Sequence, residues 1–291
     1  MKRIIIIVLS LVIVHGGGWA LGKFESQQSY KRAELTHPNS FFDSRYFNFN
    51  RERLEKAGAP KSKVYGAVVP HHLLAYELIA EVFTQLTEDK PSVIILIGPN
   101  HDNEGEKILT STWGWQTPFG TVETNKEIIE GLVSNSEVKI NNSVFSTEHS
   151  MGALMPFIKY FFPEAQVVPI IFHYNLKDEE AQSLGDQLAN IVKEKEALVM
   201  ASIDFSHYLT NQEAQAKDQE TLEIIRTKNI PRLLSLGDDY LDSPGALATL
   251  LYTMERLDIN EPKILQNTNS GILMGNDLIE TTSYITMIFG K

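Results

Sequence analysis

Residues 197–207 of this 291-residue chain read ALVMASIDFSH, an apolar run that stops at an acid and a histidine. Short apolar runs rich in branched residues are typical of strands that are buried on both faces of a mainly parallel sheet. Similar runs occupy residues 64–69, 92–97 and 166–172. The sequence therefore predicts four buried strands, and residues 197–203 form the last of them.

Helical patterns lie between the predicted strands. Apolar residues recur at helical spacing after the first strand, at Leu74, Leu78, Val82 and Leu86. A similar pattern at residues 151–162 precedes the third strand. Alternation of strands and helices predicts an α/β fold, a three-layer sandwich with a mainly parallel or mixed central sheet. The β-prone residues 281–289 are expected to return to that sheet.

The N-terminal residues differ in character from the rest of the chain. Two cations precede an apolar run at residues 4–14, which predicts that residues 1–22 are a secretory signal peptide or an uncleaved membrane anchor. The protein is then expected to be exported or membrane-anchored and extracytoplasmic. Residues 23–60 are predicted to be loop-rich with one short helix near residues 51–57. Residues 61–291 are expected to form a single α/β domain.

Composition excludes several classes of function. The formal net charge is −11 and the cations form no basic stripe, so nucleic acid is not expected as a partner. The chain contains no cysteine, which excludes disulfides, thiolate metal ligands and a cysteine nucleophile. Any metal chemistry must therefore use His, Asp, Glu or Tyr side chains.

Histidines follow three of the four predicted strands. They are His71 and His72 after the first strand, His101 after the second, and His207 after the fourth, where Asp204 comes between. A single loop histidine is most often an ordinary polar residue. However, ligands of open α/β sheets collect beyond the carboxyl ends of the strands. Three such positions in a chain with eight histidines favour one shared site, and imidazole is the commonest protein metal ligand.

Two questions remain about this predicted site: which histidine of the first pair faces it, and what role residues 148–150 have. Neighbouring strand residues point to opposite faces, so only one of His71 and His72 can face the crevice, and we choose His71. Glu148, His149 and Ser150 add an acid and an imidazole before the helical residues 151–162. The helix N-terminus there could hold an anion, or Ser150 could simply be its capping residue.

In order and spacing, several short motifs resemble those of the Memo family, which in microbes is called AmmeMemoRadiSam system protein B. The fold of that family is similar to that of LigB-type class III extradiol dioxygenases. The motifs are VVPHH at residues 68–72, LIGPNH at 96–101, WQTPFG at 115–120, EHSMGALMPF at 148–157, VVPIIF at 167–172 and SIDFSHY at 202–208. The resemblance covers approximately residues 60–289.

This resemblance implies a metal pocket. His71 and His101 match two ligand histidines, His207 matches a third pocket histidine, and Asp204 matches its acidic companion. His149 matches the EHS element of the family pattern. The acid would fix the tautomer of an imidazole that either binds metal or moves protons. We therefore expect His207, Asp204 and His149 as catalytic groups beside a metal held by His71 and His101.

Two departures from the family pattern affect the predicted site. Memo proteins typically carry a cysteine shortly before a late helix. Counting back from Pro244 places Tyr240 at the position of that cysteine, and Asp239 and Asp242 lie close to it in the sequence. Asp242, or else Asp239, is then the candidate third metal ligand. The alternative is that these acids merely precede an ordinary helix start at Ser243 and Pro244. The second departure is a glycine at position 152, where the corresponding sequence motif of the family has a glutamate.

The sequence leaves two functions open. The first is a metal-dependent oxidoreductase, with Fe(II) as the expected divalent ion and copper as an alternative, acting on a small-molecule or peptide ligand that is not identified. The second is a non-catalytic metal- or peptide-binding module that retains a dioxygenase-like pocket. Two histidines with a carboxylate form the ligand set associated with non-haem iron, which agrees with the first function.

Overall fold

The computed structural model describes residues 35–58, 62–88 and 90–291, which belong to one compact unit. The predicted signal peptide or anchor at residues 1–22 lies outside the described residues, and the boundaries at residues 22 and 60 stay predictions. Within the described ranges, no helix combines the length and the apolar character needed to cross a bilayer.

Ten strands and ten α-helices are distributed along the described chain. The strands are β1 (Thr36–His37), β2 (Val64–Val69), β3 (Val93–Pro99), β4 (Ile108–Thr110), β5 (Gly114–Trp115), β6 (Lys139–Ile140), β7 (Gln166–Phe172), β8 (Leu198–Ser202), β9 (Lys263–Asn269) and β10 (Ser283–Gly290). The helices are α1 (Arg51–Ala57), α2 (Tyr76–Gln85), α3 (Lys126–Asn135), α4 (His149–Gly152), α5 (Met155–Phe161), α6 (Asp178–Lys195), α7 (Asn211–Thr227), α8 (Ile230–Leu233), α9 (Pro244–Arg256) and α10 (Ser270–Met274).

Eight of these strands form one mixed sheet in the order β6-β4-β7-β3-β8-β2-β10-β9. The four central strands, β7, β3, β8 and β2, are parallel to one another. Strand β10 runs antiparallel to β2, and β9 runs antiparallel to β10. The carboxyl ends of β2, β3 and β8 therefore meet at one edge, and the amino end of β10 lies beside them.

Two hydrophobic clusters cover the two faces of this sheet. Because side chains alternate along a buried strand, Ile95 and Ile97 of β3 contribute to one cluster, while Ile94 and Leu96 contribute to the other. Helices α6 and α9 cover the first face, and α2 and α5 cover the second. The predicted three-layer α/β sandwich is therefore confirmed.

One predicted helix is divided in two. The pattern at residues 151–162 predicts a single helix, but the chain forms α4 and α5 with a turn at Ala153 and Leu154 between them. Pro156 lies in the first turn of α5 and has no N–H group to continue a preceding helix. His149 is the first residue of α4, and the next residue, Ser150, donates its hydroxyl to the carbonyl oxygen of Pro99 at the carboxyl end of β3.

Candidate metal centre

His71 follows β2 and is 2% exposed. Its Nδ1 lies 3.0 Å from the hydroxyl oxygen of Ser202, and that hydroxyl donates to the carbonyl oxygen of Ser150 at 2.7 Å. Since Ser202 has only one hydroxyl proton, it must accept a hydrogen bond from the Nδ1–H of His71. Burial, together with the neighbouring histidines, lowers the pKa of His71 well below its usual value. The ring is therefore neutral, with an unprotonated Nε2.

His101 is oriented by Glu148 in a similar way. The Nδ1–H of His101 donates to Oε1 of Glu148 at 2.8 Å, and the backbone N–H of His101 donates to Oε2 at 2.9 Å. Burial opposes ionisation of Glu148, but the hydrogen bond and charge of His101 outweigh it and lower the pKa of Glu148 to about 2. The carboxylate is therefore charged, and it holds the His101 ring with Nδ1 toward Glu148 and Nε2 toward Asp242.

Asp242 lies against both histidines. Its Oδ2 lies 3.3 Å from Nε2 of His71 and 3.9 Å from Nε2 of His101. Its Oδ1 is buried and has no hydrogen-bond partner among the described residues. Burial and the nearby charge of Asp204 raise the pKa of Asp242 well above its usual value. The Nε2 atoms of both histidines and one carboxyl group thus meet at a single place.

These facing atoms are all electron-pair donors. A nitrogen lone pair beside a carboxylate oxygen is favourable only when a proton or a cation lies between them. The described donors include two sets that could hold a metal ion, namely His71 with His101 and His149, and His71 with Asp204 and Asp242. Within each set the ligand atoms lie within 4.8 Å of one another. The residues present therefore fit a divalent metal.

Asp204, which the family resemblance pairs with His207, contacts His71. Its Oδ1 accepts the backbone N–H of His71 at 3.2 Å, and its Oδ2 lies 3.5 Å from Nε2 of the same residue. The backbone N–H of Asp204 donates to Oδ2 of Asp242 at 3.1 Å, and that of Asp242 donates to the carbonyl of Asp204. The end of β8 and the start of α9 are thereby fastened together. Burial raises the pKa of Asp204.

His207 lines the same cavity as His71 and His101. The family resemblance implies that the side chain of Asp204 orients this ring, but the structure shows a different partner. Instead, Nδ1 of His207 lies 3.1 Å from the carbonyl oxygen of Asp238, to which it must donate. Burial lowers the pKa of His207, although the charge of Asp204 opposes this. His207 is therefore a neutral imidazole whose Nε2 can accept a proton.

His149 lies against the two proposed ligand histidines. Its ring stacks on that of His101 with centroids 4.0 Å apart, and it meets the ring of His71 edge-on at 5.1 Å. Glu148 caps helix α4 by accepting the backbone N–H of Ser150. The cap of this helix is therefore the acid rather than Ser150. His149 itself remains 45% exposed and is open to solvent.

The structure distinguishes between the candidates near Pro244. Asp239 lies outside the centre and pairs with Lys217, and the hydroxyl of Tyr240 donates to Glu220. Asp242 is the one of these three residues that lies against the histidines. Helix α9 begins as expected, because the hydroxyl of the residue before Pro244, a serine, accepts a backbone N–H from the first turn.

The glycine at position 152 has a physical explanation. A Cβ atom at Gly152 would overlap the ring of Phe41, which comes from the N-terminal part of the described chain and packs beside His149. A glutamate side chain could therefore not be accommodated here unless Phe41 moved. Phe41 also lines the cavity, so an aromatic ring is present where the family pattern would place an acid.

Some residues that orient the histidines were not predicted from sequence. Ser202 holds His71, and the hydroxyl of Tyr284 shares a 2.6 Å hydrogen bond with Nδ1 of His72. Their positions in buried strands are the only sequence signal for such roles, because a polar group at a buried position needs a hydrogen-bond partner.

A buried acid beside the centre was also missed. Asp218 of α7 is 1% exposed, and its Oδ1 accepts hydrogen bonds from the hydroxyls of Ser206 and Ser283. Burial raises the pKa of Asp218 to about 6. An acid within a polar amphipathic helix gives no sequence signal that it is buried, since most such acids face solvent.

The fold and the centre together define an α/β sandwich protein with a histidine and carboxylate cluster at the carboxyl edge of its central strands. The model of the Memo-like protein family matches residues 42–288, so this chain belongs to the Memo-like family. A MEMO1 family protein of Methanosarcina acetivorans is 30% identical, covering 78% of this chain and 86% of the relative. One from Caldivirga maquilingensis is 29% identical, with coverage of 78% and 84%.

A solved structure supports the fold. This is the crystal structure of an uncharacterized protein from Escherichia coli K12, which matches with a TM-score of 0.52 at 12% identity. The match covers 76% of this chain and 99% of that one. At this identity the likeness supports the α/β sandwich fold and nothing further.

The comparisons contradict the predicted exported or membrane-anchored location. The matched relatives from Methanosarcina acetivorans and Caldivirga maquilingensis are archaeal MEMO1 family proteins. The family match begins at residue 42, after the apolar run on which the prediction rested. The prediction of an extracytoplasmic location is therefore wrong.

Proposed function

We propose that this chain holds a divalent transition metal between His71, His101 and Asp242 and acts as a metal-dependent oxidoreductase on a small organic molecule. One observation carries the proposal. The Nε2 atoms of both histidines face a single buried carboxylate oxygen, at 3.3 and 3.9 Å, while each Nδ1 is engaged in a hydrogen bond that fixes its tautomer. Such oriented imidazoles are a hallmark of metal sites.

Two imidazoles and one carboxylate suit Fe(II), which would supply dioxygen and one-electron chemistry at this position. The same donors also bind copper, which generally has the higher intrinsic affinity. In either case the protein supplies His207, a neutral base within the cavity, to accept a proton from the bound molecule. His149 and Asp204 would position that molecule and the ligand His71.

A second candidate is a non-catalytic metal-binding module. The exposure of His101 and His149, 29% and 45% of their side chains, favours this alternative because an open site lets metal exchange with solvent. The two functions differ after the metal has bound. Turnover requires oxygen consumption that depends on the bound metal, whereas a binding module shows stoichiometric metal without it.

The test is an anaerobic titration of purified protein with Fe(II) and with Cu(II), read by elemental analysis. The wild type should bind one metal per chain, and His71→Ala and His101→Ala should lose it. His72→Ala is a matched control, because His72 bonds Tyr284 and is expected to retain most of the metal. Oxygen uptake with a panel of catechols then separates the two functions. Full metal content in both alanine variants would overturn the ligand assignment.

A further inference from the structure

Several side chains on the wall of the cavity have no part in the proposed metal centre. The cavity has a volume of about 710 Å³, which suits a small-molecule ligand. Its lining includes Asn100, Tyr174, Tyr208 and Asp238, which we call the recognition wall. The class of ligand that this wall would bind refines the proposed function. The inference rests on the proposed function only for the place at which the ligand would react.

Asn100 offers a buried acceptor without a partner. The residue follows β3 and is 2% exposed. Its Nδ2 donates to the carbonyl oxygen of Glu104 at 2.8 Å, which identifies the other amide atom as oxygen. That Oδ1 is buried and has no hydrogen-bond partner among the described residues. An unpaired buried acceptor is unfavourable, so a ligand whose hydroxyl or ammonium group reached Oδ1 through a small movement of the Asn100 side chain would gain a hydrogen bond there.

Tyr208 is held in a costly backbone conformation. Its φ angle is 59°, in the left-handed region that an aromatic side chain rarely adopts. The conformation is enforced on both sides, because the N–H of His207 donates to the carbonyl of Asp238 and the N–H of Thr281 donates to the carbonyl of Leu209. The side chain of Tyr208 is 74% exposed, so packing does not explain it. Strain of this kind is characteristic of functional positions.

Tyr174 adds a second exposed ring to the wall. Its side chain is 70% exposed, and its backbone N–H is fixed by the side-chain oxygen of Asn103 at 3.0 Å. Two largely exposed aromatic rings beside the cavity favour a planar ligand, and ring faces also attract cations.

Charge along the cavity has one sign. Among the described residues that line it there is no lysine or arginine, whereas Asp204, Asp238 and Asp242 are present. A metal would neutralise the inner carboxylates, but Asp238 lies on the exposed side and pairs with no cation in the described part of the chain. A carboxylate or phosphate on the ligand would meet Asp238 without compensation, whereas an ammonium would gain an ion pair.

We propose that the recognition wall selects an aromatic amine, with its ring against Tyr208 and Tyr174, its ammonium at Asp238, and a hydroxyl or ammonium proton donated to Asn100. The wall thereby discriminates against acids of the same shape. Tyr208 supplies stacking and Asp238 supplies charge selection, so the two contributions are separable by mutation.

The test compares tyramine with 4-hydroxyphenylacetate, which share a phenol ring and differ in carrying an ammonium or a carboxylate. Binding is followed by NMR titration of full-length protein, both metal-free and with Zn(II). The wild type should bind tyramine at least about tenfold more tightly. Asp238→Asn should reduce this preference below about threefold, and Asn100→Ala should weaken tyramine binding. Asp239→Asn, which removes the same charge outside the cavity, should leave the preference unchanged.

Tyr208→Gly provides a variant that should fold at least as well as the wild type, because glycine tolerates a positive φ. This variant should bind both ligands more weakly, while the midpoint of its unfolding in urea stays the same or rises. Equal or tighter binding of the acid by wild type, binding of neither ligand, or an unchanged preference in Asp238→Asn would overturn the inference. Metal content measured on the same samples reports on the metal centre separately, so either conclusion can fail alone.

Discussion

The carboxylate of Glu148 accepts both the ring Nδ1–H and the backbone N–H of His101, at 2.8 and 2.9 Å. This paired contact fixes the ring, its tautomer and the turn after β3. Because Glu148 also caps α4, one buried acid joins the second layer of helices to the metal centre. The metal affinity of the centre should therefore depend on a residue that is not itself a proposed ligand.

Glu148→Gln should weaken metal binding about 10- to 100-fold, as is typical when the partner of a ligand histidine is lost. The amide keeps the shape but has only one acceptor atom, so the two N–H groups of His101 and that of Ser150 cannot all be satisfied. Competition titration against a chromophoric chelator measures the affinity. The exposed Glu106→Gln is the control. Equal affinities for the two variants would show that the contact does not support the ligand.

Asp242→Asn should separate metal affinity from stability. Burial raises the pKa of Asp242, so in the metal-free protein its contribution to stability declines as the pH rises through the folded pKa. The neutral asparagine removes this loss and can still accept the N–H of Asp204. Without metal the variant should therefore unfold at higher urea concentration at alkaline pH than the wild type. It should also bind metal at least about tenfold more weakly.

The comparison requires chelator-treated samples of both proteins, with Asp239→Asn as the charge-matched control. A less stable metal-free Asp242→Asn variant would argue that the ionised carboxylate is satisfied by the protein alone.

Gly152→Ala should destabilise the protein by roughly 1–3 kcal/mol, because the new methyl group overlaps the Phe41 ring. Phe41→Ala removes the obstacle, so the double variant should lose less than the sum of the two single variants. Urea unfolding of all four proteins gives the coupling energy. Additive losses would mean that Phe41 does not occupy the space beside Gly152 in solution.

Asp218→Asn should change how stability depends on pH. The folded pKa of Asp218 is raised to about 6, whereas the unfolded value is near 4, so its contribution is fully present below about pH 4 and is lost as the pH rises through 6. The variant should match the wild type near pH 4 and exceed it by on the order of 1–3 kcal/mol at about pH 8. Its Oδ1 still accepts Ser206 and Ser283. Unfolding free energies that stay parallel between about pH 4 and 8 would contradict the assignment.

The sequence predicts the central sheet well because each buried strand is a short apolar run with clear ends. β2 and β7 have the bounds that the pattern indicates, and β8 is shorter by two residues than expected. Alternation along β2 also separates His71, which enters the centre, from His72, which turns toward Tyr284. These features are determined by residues that are close in the sequence, so they can be predicted from the sequence alone.

The partners within the centre depend on the tertiary structure. Whether Asp239 or Asp242 meets the histidines is decided by the backbone hydrogen bonds between the loops after β8 and before α9, which no local pattern reveals. Ser202 looks like an ordinary strand residue until β2 and β8 are paired. Likewise Asp204 and His207 are close in sequence, yet the turn directs them to different partners.

The antiparallel strand β10 has a consequence for biosynthesis. All the proposed ligands precede residue 243, yet Tyr284 and Ser283, which hold His72 and Asp218, come from this strand near the carboxyl terminus. A nascent polypeptide emerging from the ribosome would thus expose its histidines before the strand that closes the sheet beside them has been translated. The contacts of His72 and Asp218 can therefore form only after β10 has been translated and has paired with β2.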